Sequence, residues 1–158
     1  MALRDSFELD FLKEINRVAK APVSLEQAIF SPTEADDENP RFARLRFTFK
    51  KEAIYRGSEI LRYRRLNLED FNHLFARLPN VHPSGNTLHK IIPDIQRYLG
   101  INLDPMDFSD TPVVEQNGVF YVDLIPEVNS PRWYNNIQLA FEPLPALSRV
   151  VVTPTILW

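Results

Sequence analysis

The sequence predicts an α+β fold made of two helix-plus-β-hairpin units, an internal duplication, with an extended C-terminal arm. Three observations predict it. The first is the stretch 43–66, ARLRFTFKKEAIYRGSEILRYRRL, in which Leu45, Phe47 and Phe49 alternate with Arg44, Arg46, Thr48 and Lys50. Alternation at period two is what a half-buried strand requires, because successive side chains point to opposite faces. The second is a pair of helical stripes, Phe7, Phe11, Leu12, Ile15 and Val18 early on, then Leu88, Ile91, Ile92, Ile95 and Leu99. The third is an echo. Residues 11–32 lie over 91–112 at an offset of 80, pairing Asn16 with Gln96 and Val23 with Leu103, and 55–63 lie over 133–141 at an offset of 78. Two similar units in one chain imply a duplication.

Taken in order, residues 5–19 read as a helix that Asp5 or Ser6 can cap and Pro22 stops. Residues 24–29 suit a short helical turn. SPTEADDENP, 31–40, is polar and acidic with no apolar anchor, so an exposed, mobile loop is expected. The hairpin follows, with Ile60 and Tyr63 in its second run and Gly57 free to take φ > 0 at the connection. Asn67 is a good cap for a helix over 68–78, buried through Phe71, Leu74, Phe75 and Leu78. A third helix spans 87–99, kinked or delayed by Pro93 and ended by Gly100. Residues 119–125 and 137–141 are expected strands, joined by PEVNSPRWYNN, and 149–152 is a further candidate. The divisions are 1–68 and 85–145 for the two units, 69–84 for the connecting helix and loop, and 146–158 for the arm.

The totals bound the function. The 158 residues carry no cysteine, which excludes disulfide and thiolate chemistry and fits assembly in a reducing cytoplasm. No apolar run approaches the ~20 residues of a membrane span, and residues 1–20 lack the apolar core of a signal peptide. The net charge of −3 hides an asymmetry. Residues 41–65 hold nine bases and two acids, whereas 1–40 hold nine acids and four bases, and 101–158 seven acids and two bases. A basic belt between acidic flanks can serve nucleic acid or an acidic protein neighbour, or form a solvated face balanced by the chain's own acids.

Reaction chemistry is hard to find. His73, His82 and His89 show no tight ligand spacing, and Asp104, Asp107 and Asp110 lack the glycine and distal Glu of a calcium loop. Capping and turn roles fit them better. Four glycines leave little from which to build a phosphate-cradling loop. The expectation is no enzyme, no catalytic residue, no metal and no cofactor. Phe47, Phe49 and Tyr55 among cations allow a nucleic-acid platform, but Phe47 and Phe49 share the parity of Leu45 and so face the core. Trp133 and Tyr134 are either a core plug or an exposed contact anchor.

The residues of the hairpin also carry a resemblance. AIYRGSEILRYRRLNLEDF resembles the closing half of a small repeated module in virion structural proteins of large tailed bacteriophages. Asn16, Tyr55, Gly57, Ser58, Tyr63, Arg65 and Leu66 match its pattern. In the second copy Gln96 replaces the Asn, and Asn135-Asn136 replace Gly-Ser. The resemblance spans about 9–68 and 89–145. It implies a non-enzymatic virion building block with a β-rich adhesive surface. Separately from the resemblance, tail or baseplate is expected in preference to head, with assembly in the bacterial host cytoplasm. Its partners would be other virion proteins, with homo-oligomeric or multi-copy incorporation and neither membrane nor nucleic acid. The expected partner-binding residues are Arg56, Arg62, Arg64 and Arg65 of the hairpin, Trp133 and Tyr134, and Val150, Val151, Val152, Ile156, Leu157 and Trp158 of the arm. That arm is too apolar to leave in water; strand addition to a neighbour's edge would bury it, and so would folding back to cap its own core. The alternative is a small basic-faced nucleic-acid-binding or accessory protein.

Overall fold

A computed structural model describes residues 5–19, 23–50, 53, 56–75, 77–79 and 81–143. The expected strand 149–152 and the arm lie outside the described residues. The fold is mixed α+β. Among the described residues no helix is long and apolar enough to cross a membrane.

Helix α1 (Phe7–Ala19) starts where Ser6 Oγ accepts from Leu9 N. Near its other end the Asn16 amide clamps the chain that follows. Its Nδ2 donates to Val23 O at 2.8 Å and its Oδ1 accepts from Val23 N at 3.0 Å. A 3₁₀ turn (Leu25–Gln27) leads into β1 (Ala28–Phe30), β2 (Glu34–Ala35), β3 (Phe42–Phe49) and β4 (Ser58–Arg64). Strands β1 and β2 pair antiparallel with one side of β3, and β4 pairs antiparallel with the other. Gly57, at φ +114°, supplies the turn into β4 that a side chain would strain. Phe11 and Leu12 of α1 pack on Leu45 and Phe47, and the rings of Phe11 and Tyr63 meet at 5.1 Å.

Residues 31–40 depart from the expected loop. Glu34 and Ala35 form β2, Ala35 N donates to Asn129 Oδ1, and Asp36 is paired with Arg62 at 3.0 Å. The acidic segment is held because it lies along the basic strands β3 and β4.

Beyond the hairpin come β5 (Leu66–Asn67), a 3₁₀ turn (Leu68–Phe71), the one-turn helix α2 (Asn72–Phe75) and β6 (Leu78–Pro79). Asn67 caps this stretch as expected, its side chain accepting from Glu69 N. The expected helix over 68–78 is nevertheless corrected: Leu78 is fully buried as a strand residue beside Phe141. Pairing, not a helical stripe, is what buries it.

Helix α3 (Leu88–Leu99) runs through Pro93, which is exposed and forfeits only its own bond to the preceding turn. Burial of Leu88, Ile91, Ile92 and Ile95 outweighs that loss. Gly100 closes the helix in the left-handed region. Gln96 Oε1 accepts from Leu103 N at 2.9 Å, and a 3₁₀ turn (Pro105–Asp107) capped by Asp104 follows. Strands β7 (Val114–Gln116) and β8 (Val119–Leu124) are joined by Asn117–Gly118, both at positive φ, 53° and 81°. That is the two-residue turn whose twist suits a hairpin. After β9 (Trp133–Tyr134) and β10 (Ile137–Glu142) the second sheet has the order β6-β10-β8-β7, with β6 parallel to β10. A small parallel pair, β5 with β9, joins the two halves of the chain.

A buried ion pair joins them too. Arg132 Nη2 donates to Asp10 Oδ2 at 2.9 Å, with both side chains almost wholly out of water. It also donates to Asp5 O, while Arg132 Nε and Nη1 have no partner among the described residues.

Candidate functional site

The first sheet turns one face to α1 and the other to solvent. Ala43, Leu45 and Phe47 of β3 are buried against the helix. Arg44 and Arg46 of β3, with Ile60, Arg62 and Arg64 of β4, are exposed on the opposite face. Register places Arg44 opposite Arg62 and Arg46 opposite Ile60. Like charges directly opposite repel, and local partners soften this. The Arg62 guanidinium lies 3.9 Å over the Phe42 ring and meets Asp36. Arg46 Nη1 donates to Ser58 Oγ at 3.1 Å. The Asp36 carboxyl is held below the usual carboxylate range, chiefly by the Glu38 N–H and then by Arg62.

The same strand presents an edge. Arg65 N donates to Arg41 O and Phe49 N donates to Gly57 O, so the odd-numbered residues along β4 turn their backbone groups toward β3. Antiparallel alternation then turns those of Ser58, Ile60, Arg62 and Arg64 outward. Among the described residues no strand pairs with that side. An open edge of this kind is a template for another chain, and its arginines are the sort of charge that discourages indiscriminate pairing. Ile60, 59% exposed, sits among them.

Of the residues singled out in the sequence, Arg62 and Arg64 lie on this face and Arg56 is exposed just ahead of it. Arg65 does not, which corrects its placement among the outward bases. It is 3% exposed, and its guanidinium donates to the carbonyls of Pro40, Val128, Ser130 and Trp133. Four carbonyl oxygens satisfy the buried cation where water cannot. Trp133 is also interior, at 0% exposure with its ring edge-on to Phe71 at 5.5 Å. Of the two roles left open for it, core plug is the one this burial fits. Tyr134 is half-buried, its ring 5.8 Å from the Arg65 guanidinium. Phe47 is buried and Phe49 half-buried against it, so neither offers a stacking surface. Val150, Val151, Val152, Ile156, Leu157 and Trp158 lie outside the described residues. Arg44 and Arg46 complete the face, and strand parity in the sequence was the signal for them.

His82, His89 and Asp110 have structural partners. His89 Nε2 lies 2.8 Å from Phe108 O, Asp110 accepts from His89 N, and His82 Nδ1 lies 2.9 Å from Pro83 O. Among the described residues no three His, Asp or Glu side chains gather as a metal would need. Asp107 sits near Arg132 in the cleft between α1 and β9. Burial first, and Asp104 second, push its carboxyl up to about 7.

What these features define is an α+β chain with a cationic sheet face beside a strand edge that is unpaired among the described residues. The chain belongs to DUF7941, a family of unknown function, whose profile matches residues 5–157. No curated protein and no solved structure matches it.

Proposed function

We propose that this chain is a structural subunit of a multi-protein particle, acting through assembly contacts made by the face and edge of its first sheet. The observation that carries the reading is the coincidence, on one strand, of the outward row Ser58, Ile60, Arg62 and Arg64 with the cationic face shared by Arg44 and Arg46. The edge offers backbone pairing and the arginines offer selection for an acidic neighbour. The resemblance to virion proteins supports a tailed-phage particle as that assembly, and within it this reading favours tail or baseplate over head.

The same reading takes the chain as a duplicated helix-plus-hairpin unit. Support comes from register. Asn16 clamps Val23 and Gln96 bonds Leu103, both pairs at an offset of 80. The 3₁₀ turns at Leu25–Gln27 and Pro105–Asp107 keep that offset. Glu34 opposite Arg44 corresponds to Val114 opposite Tyr121, and Phe47 opposite Glu59 to Leu124 opposite Ile137. Lys50 N donates to Gln27 O as Glu127 N does to Asp107 O. Equivalent side-chain and backbone bonds at matching positions support duplication over chance similarity of two αββ segments.

The test is Arg44→Glu, Arg62→Glu and Arg64→Glu in one chain. Exposed pairs are worth only ~0.2–1 kcal/mol each, so the isolated melting temperature should stay within a few degrees while incorporation into the parent particle is lost. Normal incorporation would overturn the proposal. The same arginines favour nucleic acid as a second reading. Binding of the wild type to random duplex DNA, falling steeply with log salt and lost in the triple variant, would replace the first reading with the second.

A further inference from the structure

The two sheets carry the same depression on their outward faces, with different chemistry around it. Pro32, Glu34, Arg44, Arg46 and Ile60 border a groove of about 360 Å³ on the first sheet. Pro112, Val114, Tyr121, Asp123 and Gln138 border one of about 430 Å³ on the second. Register makes them counterparts. Glu34 is paired with Arg44 as Val114 is with Tyr121, and Arg46 with Ile60 as Asp123 is with Gln138. Where the first sheet places the guanidinium groups of Arg44 and Arg46, the second places a phenol ring and a carboxylate.

The contrast extends beyond the grooves. Residues 101–143 hold seven acids and one base, Arg132, which is 4% exposed. This part of the chain therefore shows an acidic surface, while the first sheet turns Arg44, Arg46, Arg62 and Arg64 outward. The two do not meet within one copy, because Arg44, Arg46, Asp123 and Gln138 are all exposed. On the cationic face Asp36 engages Arg62 and Ser58 engages Arg46. Arg44 and Arg64 have no hydrogen bond or ion pair among the described residues. The second groove has what an arginine needs. Asp123 offers a carboxylate, Gln138 an amide, Tyr121 a ring, and Val114, 51% exposed, an apolar wall for the aliphatic stem.

We infer that the acidic neighbour of the cationic face is the second sheet of another copy of this chain. The outward face of the first sheet lies on the outward face of the second, and Arg44 enters the groove with its guanidinium at Asp123 and beside Tyr121. The inference rests on the assembly reading above and adds the partner and the residues that meet. Because the two surfaces differ, the contact is heterologous and builds rings or open filaments, not a closed two-fold dimer.

Sedimentation velocity on the full-length chain tests it. Association should strengthen with protein concentration and fall away as salt rises toward about 1 M, where the screening length is ~3 Å. Arg44→Glu together with Arg64→Glu spoils the cationic face, and Asp123→Arg spoils the groove, each by setting like charges against each other. The three positions are exposed, so both variants should melt within a few degrees of wild type. Each variant alone should associate at least tenfold more weakly than wild type. Mixed, they keep one intact face each and should form a one-to-one complex that grows no further. Asp123→Asn, which removes the charge without reversing it, should weaken association in the same direction. A wild-type chain that stays monomeric overturns the inference, and so does a mixture that fails to form the complex. Loss of particle incorporation in the arginine triple variant, with no association between copies, would sink this contact alone and leave the assembly reading standing.

Discussion

Replacing Asp10 with Asn removes one charge from a pair that the fold has sealed. Asp10 and Arg132 stand 122 residues apart in sequence and 2.9 Å apart in space, with side chains 1% and 3% exposed. The Asn keeps the shape and a hydrogen-bond acceptor but leaves the guanidinium without its paired carboxylate, and Arg132 Nε and Nη1 already lack partners among the described residues. Breaking such a pair costs about 3–5 kcal/mol. For a chain of this length each kcal/mol lowers the melting temperature by roughly 2–4 °C, so Asp10→Asn should melt roughly 6–20 °C lower. A well-packed apolar pair restores what a single change destroys. Asp10→Leu with Arg132→Met should therefore melt closer to wild type than Asp10→Asn alone. Urea denaturation of the three proteins measures it. A loss under about 1 kcal/mol for Asp10→Asn would refute the claim that this buried pair fastens α1 to the connection before β9.

Two further outcomes follow from the interior. The Asp107 carboxyl is raised from 3.8 to about 7 in the folded chain, so between those values the folded state holds a proton that the unfolded state has lost. Stability therefore falls as pH rises from about 4 to about 7 through this group; urea midpoints at pH 4.5 and pH 8 should differ less in Asp107→Asn than in wild type, and equal differences would contradict the assignment. Arg65→Ala strands four carbonyls and removes a buried cation, so it should cost more than 2 kcal/mol, whereas Arg64→Ala on the outward face should stay within about 0.5 kcal/mol. Equal effects of the two changes would mean that their sides of the strand are wrongly assigned.

Helices α1 and α3 were legible because their apolar stripes repeat at helical spacing, and β3 because its charges and apolar residues alternate without a break. Strand β2 was not: nothing in SPTEADDENP is apolar enough to announce a strand, and what pairs it is a basic neighbour whose position only the fold supplies. Asn117-Gly118 is a legible hairpin signal, and it locates β7. The helix expected over 68–78 failed because Leu78 suits a helical stripe and a buried strand equally well, and a short apolar segment does not separate the two. Arg64 and Arg65 illustrate the limit at the site. Adjacent strand residues point to opposite faces, so one of the two had to turn inward, yet an interior arginine is credible only once the carbonyls of Pro40, Val128, Ser130 and Trp133 are seen to converge on it. Charge in sequence located the belt; parity and register decided which of its members face a partner.

The most direct test of the docking edge is residue-resolved amide hydrogen exchange along β4, in the isolated chain and in its assembled form. The account predicts alternation in the isolated chain, with Glu59, Leu61 and Tyr63 protected by β3 and Ser58, Ile60, Arg62 and Arg64 exchanging freely. On assembly the second set should become protected while the first is unchanged. Outward amides that stay unprotected in the assembly, or that are already protected in the dilute monomer, would contradict it.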